Sequence, residues 1–316
     1  MDWRPGATQA SLRQRAALLK DIRRFFEARD VLEVETPLLA AAPVTDPHIE
    51  ALAVPHPCGA GELWLQTSPE YAMKRLLAAG MGPIYQICKA VRKDEAGSRH
   101  NPEFSLLEWY RPGFDLEQLQ AETLELLTQV LGARPVEVFS YAGAFQYFLK
   151  LDIATASDAD LAEHAAAFGD WPAHADRGDC LDFLFASAIE PQLGREVFTV
   201  IRDYPAEQAA LAQTHIDAQG QRVASRFELY VDGVELANAY HELLDADEHR
   251  RRFRQDLAQR RAMGLREVPM DEALLAALDA GLPACSGIAL GLDRLLMIKL
   301  GAVSIDEVLA FSLPRL

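Results

Sequence analysis

Apolar positions in residues 11–29, SLRQRAALLKDIRRFFEAR, recur at helical spacing, with Leu12, Leu19, Ile22 and Phe26 on one side and basic residues on the other. This pattern predicts an amphipathic helix. The next stretch, VLEVETPLL, reads as a short extended segment stopped by Pro37, because proline has no N–H for a ladder and biases Thr36 toward extended geometry. After a loop punctuated by Pro43, Pro47, Pro55 and Pro57, Leu63–Gln66 reads as a strand. SPEYAMKRLLAAG then predicts a helix, with Ser68 as N-cap, Pro69 in the first turn and Gly80 closing it.

PIYQICKAVRK and PEFSLLEWYR predict two strands, and residues 115–131 a helix. Residues 135–195 are alanine-rich and read as mostly helical. The alternating runs ASRFELYV and VELANAY flank Asp232-Gly233, a strong two-residue hairpin signal. An arginine-rich helix, a helix over residues 271–280 and a strand-to-helix unit, SGIALGLDRLLMIKL, complete the chain. Strands joined by hairpins, with helices before, between and after them, predict an α+β fold with a mostly antiparallel β-sheet flanked by helices. No G-x-x-x-x-G-K-[ST] or G-x-G-x-x-G occurs, so a nucleotide site here needs another design.

The 316 residues show no internal repeat and no low-complexity linker, and no apolar run reaches membrane-spanning length. The N-terminal MDWRPGATQASLRQR lacks the apolar core of a signal peptide, so a cytoplasmic protein is expected. Four scattered cysteines without metal-ligand spacing read as thiols in a reducing compartment. A net charge of −16 argues against general nucleic-acid binding. HRRRFRQDLAQRRAMGLR is the local exception; it reads either as a solvated helix face or as a partner-docking surface.

Three constellations carry candidate chemistry. On a strand from Glu103 to Arg111, alternation places Phe104, Leu106, Glu108 and Tyr110 on one face. Such a face suits a ligand with a flat ring and a cation, or else is core with Glu108 paired to an arginine. In the Asp232-Gly233 hairpin Tyr230 falls opposite Glu235, so Glu228 and Glu235 lie diagonal on one face; they are either an exposed acidic pair or two oxygen ligands for Mg²⁺. Asn238 and Glu242 follow at steps of three and four, which predicts that the chain leaves strand geometry after Glu235. In GIALGLDR, Arg294 sits at a helix start that favours an anion, although any tight strand-helix turn also uses glycine.

Together these blocks resemble a known family. FFEARDVLEVETPLL with Pro37, VRKDEAGSRHNPEFSLLEWY and GIALGLDRLLMI look like motifs 1, 2 and 3 of class II aminoacyl-tRNA synthetases, in order, and SPEYAMKRLL, RHNPEF and ELANAYHEL narrow the resemblance to the lysyl branch. Only about ten residues precede the first helix, where a lysyl-tRNA synthetase has an anticodon-binding β-barrel. The bare core is similar to the EpmA family, synthetase paralogues that attach (R)-β-lysine to a lysine of translation elongation factor P. The resemblance implies one class II catalytic domain over residues 1–316.

It also implies roles. Arg92 would hold the substrate carboxylate and the ATP α-phosphate, Phe104 would stack on adenine near Asn101, and Arg99, His100 and Arg294 would grip the outer phosphates. Glu228 and Glu235 would hold Mg²⁺, with Glu228 also beside the ATP. Ser68, Glu70, Glu108, Tyr110, Asn238, Tyr240, Glu242 and Ala289 would line the amino-acid pocket, its acids taking the two ammonium groups of (R)-β-lysine or lysine. Where motif 2 usually carries Arg-x-Glu, this chain has Arg92-Lys93-Asp94, so either Asp94 or Glu95 makes that contact. Ala239 and Tyr240 replace the usual Gly-Phe, and Ala289 replaces a glycine of lysyl-tRNA synthetases. The expected activity is adenylate formation followed by amide formation on elongation factor P, by a homodimer that binds neither membrane nor tRNA stably. Its alternatives are a truncated synthetase charging tRNA and a non-catalytic regulatory paralogue that binds amino acid or ATP.

Overall fold

The computed structural model describes residues 3–169 and 177–316. The chain divides into two compact units, Met1–Leu131 with Tyr240–Leu316, and Gly132–Ala239.

The first unit begins with α1 (Gln9–Glu27), β1 (Leu32–Glu33), β2 (Leu39–Ala40), β3 (Ala53–Pro55), β4 (Glu62–Leu65) and α2 (Glu70–Ala78). It continues through β5 (Ile84–Val91), β6 (Glu103–Pro112) and α3 (Leu116–Leu131). The second unit holds β7 (Val136–Ser140), α4 (Tyr141–Leu149), α5 (Asp158–Ala166), α6 (Arg177–Leu184), β8 (Phe198–Pro205), β9 (Thr214–Ile216) and β10 (Arg222–Val231). β11 (Val234–His241) carries the chain back to the first unit, where α7 (Ala246–Ala262), α8 (Glu272–Gly281), β12 (Cys285–Gly291) and α9 (Leu292–Leu300) follow.

α1 starts where the Thr8 hydroxyl accepts the Ser11 N–H (3.1 Å), a side-chain N-cap. Leu18, Ile22, Phe25 and Phe26 form its buried stripe, while Leu12 and Leu19 lie partly buried at the edge. Phe26 stacks on Tyr85 (4.4 Å between centroids) and meets Trp109 edge-on (5.4 Å). Tyr85 and Trp109 are register partners on β5 and β6, so α1 covers that face of the sheet. The sheet of this unit runs β1-β5-β6-β12, antiparallel except for the β1–β5 pair. VLEVETPLL is divided: Leu32 pairs with Ile84 in the large sheet, whereas Leu39 pairs with Leu65 in the small sheet β2-β4-β3. Pro37 sits at the change of sheet, where it removes no ladder bond.

The second unit carries the strand order β11-β10-β8-β7, with β9 beside β10. Asp232 and Gly233 both have positive φ (53° and 70°), as the expected hairpin turn requires. Tyr141 stacks on Phe185 (5.1 Å) and packs against Tyr204 (4.9 Å), the centre of this unit's core. The helical reading of residues 135–195 holds for α4 to α6 but misses β7, whose residues pair in parallel with β8 from Val136↔Phe198 to Ser140↔Arg202. The partner is about sixty residues away in sequence, so local pattern carried only its short V-E-V alternation. Residues 170–176 of that reading lie outside the described residues. The expected break after Glu235 is also corrected: β11 runs unbroken to His241. Glu242 is then placed by its own N–H, which donates to Cys285 O (3.0 Å).

The arginine helix, α7, starts at Asp245, whose carboxylate accepts the Asp247 and Glu248 N–H groups. Its arginines are largely matched to acids. Arg250 pairs with Asp279 and Asp247, Arg251 and Arg252 with Glu248, Arg260 with Glu50 and Arg261 with Glu267. Most arginines of α7 are thus met by a carboxylate on the helix or beside it. The four cysteines are free, and no helix of the described residues is long and apolar enough to cross a membrane.

Candidate active site

The sheet face opposite α1 carries the expected amino-acid pocket of the first unit. Across three strands Gln86, Glu108 and Ala289 stand in one row, and Ile84, Tyr110 and Gly287 in the next. Tyr110 donates its phenol to Glu108 Oε1 (2.8 Å), and Ser68 donates its hydroxyl to Oε2 (2.9 Å). Ser68 Oγ also accepts the Glu70 N–H (3.0 Å), although Pro69 rather than Ser68 occupies the helix-cap position. Proline has no N–H to be satisfied, so the hydroxyl reaches the next donor.

Lys74, which sequence reasoning did not single out, completes this pocket. Its side chain is fully buried, and Nζ lies 2.6 Å from Glu70 Oε1 and 2.6 Å from Glu242 Oε2. The spacing of Glu70 and Lys74 by four residues on a helix was a legible signal. Burial works against the ammonium, but Glu242 and Glu70 outweigh it and hold the Lys74 pKa well above its usual value. Burial pushes Glu108 up to about 8, with Glu70 adding to the effect and the Tyr110 and Ser68 donors opposing it. Burial likewise raises Glu242 to about 7, against the pull of Lys74. Gly287 was also missed as a pocket residue. A Cβ there would run into the Tyr110 ring and stand 2.6 Å from Glu242 Oε1, so this strand position admits only glycine without rearrangement.

The expected ATP end of the first unit is built from β6, the loop before it and α9. The Arg92 guanidinium lies over the Phe104 ring (5.0 Å), and Nε donates to Thr67 O (3.3 Å). Glu95 approaches Arg92 (3.5 Å), whereas Asp94, with positive φ, turns outward beside Lys93. Of the two acids it is thus Glu95 that lies beside Arg92. His100 meets Arg294 (2.5 Å between His100 Nε2 and Arg294 Nη2); burial first, then Arg294, lowers its pKa and keeps the imidazole neutral as an acceptor. Arg99 is exposed on the same loop. Asn101 is used by the chain itself, since its Nδ2 donates to Glu103 O (2.7 Å) and its Oδ1 accepts the Leu313 N–H (2.9 Å).

Arg294 owes its place to its neighbour. Asp293 is buried, accepts the Ser105 N–H on Oδ2 (2.7 Å) and pairs through Oδ1 with Arg15 of α1. One carboxylate thus locks α9 to β6 and α1 at the point where Arg294 emerges.

In the second unit, Glu228 is held by three donors: Tyr204 (2.6 Å), Tyr230 and Arg226. Arg226 lies over the Tyr204 ring (4.3 Å). Burial raises the Tyr230 phenol well above its usual value, with Glu228, Tyr204 and Glu235 adding to it. Arg226 already compensates Glu228, so the two acids coexist without requiring a cation. Among the described residues no group of three His, Cys, Asp or Glu side chains gathers as a metal site. Two hard oxygen donors nevertheless suit Mg²⁺, which commonly takes one or two carboxylates and completes its shell with water and substrate phosphates. Asn238 belongs to this unit on β11, and Tyr240 follows it in the first unit; both are partly buried.

Comparison with known proteins extends along the whole chain. A relative in Pasteurella multocida, named elongation factor P--(R)-beta-lysine ligase, is 49% identical over 99% of this chain and 98% of its own length. Proteins of the same name in Klebsiella pneumoniae and Salmonella paratyphi B are 49% and 48% identical, with the same coverage. The family of tRNA synthetases class II (D, K and N) matches residues 1–315. With its α+β fold, its antiparallel strands flanking the motif 2 and motif 3 arginines and its end-to-end match, this chain belongs to the class II aminoacyl-tRNA synthetase family of the D, K and N type.

Proposed function

We propose that this chain is an AMP-forming ligase that activates (R)-β-lysine, and lysine more weakly, and transfers it to a lysine side chain of translation elongation factor P. The observation that carries the substrate class is the cluster of Glu70, Glu108 and Glu242, in which one resident ammonium, Lys74, bridges Glu70 and the buried Glu242 while the buried Glu108 meets only hydroxyls. A neutral side chain would leave the acids outnumbering their one cation, and an ionised Glu108 without any, at a desolvation cost. The acceptor follows from the name shared by relatives of the same length.

In the first step the substrate carboxylate attacks the α-phosphorus of ATP, the bond to the β-phosphate oxygen breaks and pyrophosphate leaves. Arg92 holds carboxylate and α-phosphate together, which supplies orientation and neutralises developing charge. Phe104 stacks on adenine beside Asn101; Glu95 takes the place beside Arg92 first considered for Asp94. Arg99, His100 and Arg294 hold the outer phosphates. Glu228 and Glu235 would hold Mg²⁺, which would supply neutralisation of phosphate charge when bound. In the second step the neutral amine of the acceptor lysine attacks the acyl carbonyl, AMP leaves and the amine loses a proton. Tyr240 completes the amino-acid pocket of the first unit with Ser68, Tyr110 and Ala289.

The two units act in this reading as one catalytic domain, supported by the single family match over residues 1–315. A homodimer is supported by the exposed Leu32, Leu38, Leu39 and Met81 around the motif 1 segment, and a cytoplasmic location by the acceptor itself. The test is intact-mass analysis after incubation with ATP, Mg²⁺ and (R)-β-lysine or L-lysine, offering elongation factor P or tRNA-Lys. A gain of one lysyl unit on the protein, faster with the β-isomer, is expected. Charging of tRNA with unmodified protein supports the synthetase alternative, and amino-acid binding without turnover supports the regulatory one.

A further inference from the structure

We propose that Lys74 is a specificity-determining positioning residue of the pocket, a resident ammonium that neutralises one of three clustered carboxylates, two of them buried, so that the site is matched to a substrate bearing two ammonium groups. The inference deepens the proposed function and rests on its pocket.

The geometry leaves Lys74 no solvent-facing role. Its side chain is fully buried and bridges Glu70 on its own helix to Glu242 beyond the end of β11, at 2.6 Å each. Glu108, the third acid, carries no cation of its own: its oxygens are met by the neutral hydroxyls of Tyr110 and Ser68. Three carboxylates against one ammonium leave two negative charges when all are ionised, the complement of a diamino acid whose carboxylate lies at the ATP end. Four neighbouring titratable groups are held neutral, with the charges of Arg252 and Asp256 felt at two of them, His249 and Tyr71. His249 is completely buried on α7, its Nδ1 faces Asp245 O (2.9 Å), its Nε2 meets no hydrogen-bond partner, and burial followed by the Lys74 charge lowers its pKa to about 4. Cys285 is raised to about 12 by burial and then Glu242, and Tyr71 and Tyr110 are raised beyond the range in which they ionise. A pocket meant only to be stable would bury less charge, because a buried ion pair recovers its desolvation cost only with excellent geometry. This pair keeps its acids ionisable where a cationic ligand enters.

The test is a charge-balance cycle read by isothermal calorimetry with L-lysine and (R)-β-lysine, in buffers of different ionisation enthalpy. Lys74→Met keeps the stem and removes the charge; Glu70→Gln removes one acid; the double variant restores the original difference between acids and resident cations. Each single variant is expected to weaken binding by about tenfold or more, as for loss of one partner of a buried charge pair. Lys74→Met should in addition release about one more proton on binding than the parent chain, since the unpaired acid is protonated until the ligand arrives. The double variant should bind more tightly than the product of the single losses allows. Additive losses with an unchanged proton count overturn the inference and leave the function standing. No binding of either diamino acid by the parent chain overturns the proposed function and this inference together. Should Lys74→Met not fold, Lys74→Arg decides the matter, retained proton count supporting the charge role and its loss refuting it.

Discussion

Tyr110 and Glu108, two residues apart on β6, are joined by a 2.8 Å hydrogen bond from phenol to carboxylate on the face opposite α1. The acid it holds has its pKa raised by burial, against the pull of this bond, and makes the pocket sensitive to pH. Glu108 is pushed up to about 8 and Glu242 to about 7, against about 4.3 for an unfolded glutamate. Between those values the native chain holds more protons than the unfolded one, so its stability is greatest below the unfolded pKa and falls as pH rises through the folded ones. Urea unfolding from about pH 5 to about pH 8 should show this decline, and Glu108→Gln should flatten it. A parent chain whose midpoint rises over that window would refute the protonation assignment.

The same groups bind cations only when ionised. The dissociation constant for L-lysine should therefore fall as pH rises from about 6 to about 8.5, until the ligand amines themselves begin to deprotonate. An affinity independent of pH would mean that Glu108 and Glu242 are already charged in the empty pocket.

Gly287 has no room for a side chain beside Tyr110 and Glu242. Gly287→Ala should overpack the pocket at a cost of about 1 to 3 kcal/mol, seen as a raised KM for the amino acid with little change in KM for ATP. Steady-state pyrophosphate exchange separates the two constants, and equal increases in both would place the damage elsewhere.

Ala289 is the register partner of Glu108. Removing its methyl in Ala289→Gly should change the preference between (R)-β-lysine and L-lysine by about 10- to 200-fold at most, the value of one methyl in a pocket. The ratio of the two kcat/KM values measures it, and an unchanged ratio would show that this methyl does not read the amine position.

Asp293 holds α9 against Ser105 and Arg15. Asp293→Ala should destabilise the chain by about 3 to 5 kcal/mol, because Arg15 and a buried backbone N–H lose their partner. Any folded fraction should show a raised KM for ATP through displaced Arg294. Thermal unfolding compared with Asp293→Asn, which keeps one acceptor oxygen, checks the assignment.

Much of the site was legible because motif 2 and motif 3 are local. Glu108 and Tyr110 share a face through strand alternation alone, and the Asp232-Gly233 turn follows from two residues. Lys74 was passed over because its second partner, Glu242, lies 168 positions away by number, and nothing near either residue announces the other. Asp293 was hidden beside a conspicuous arginine for the same reason, its partners lying on β6 and α1. The ion pairs of the arginine helix were likewise not legible, since Arg250 and Arg260 meet Asp279 and Glu50 from distant parts of the chain, beside the Arg251–Glu248 pair within the helix.

By itself the sequence determined the amphipathic face of α1, the hairpin turn, the α+β class and the order of the motif segments, all of which depend on short-range periodicity and turn chemistry. Tertiary structure decided which acids became charged partners, which glycine became the pocket wall and which of Asp94 and Glu95 reached Arg92. Those outcomes depend on desolvation and on distances between residues far apart in the chain. Burial turns a glutamate into a group that titrates near neutrality, and no local pattern records how deeply a residue will be buried.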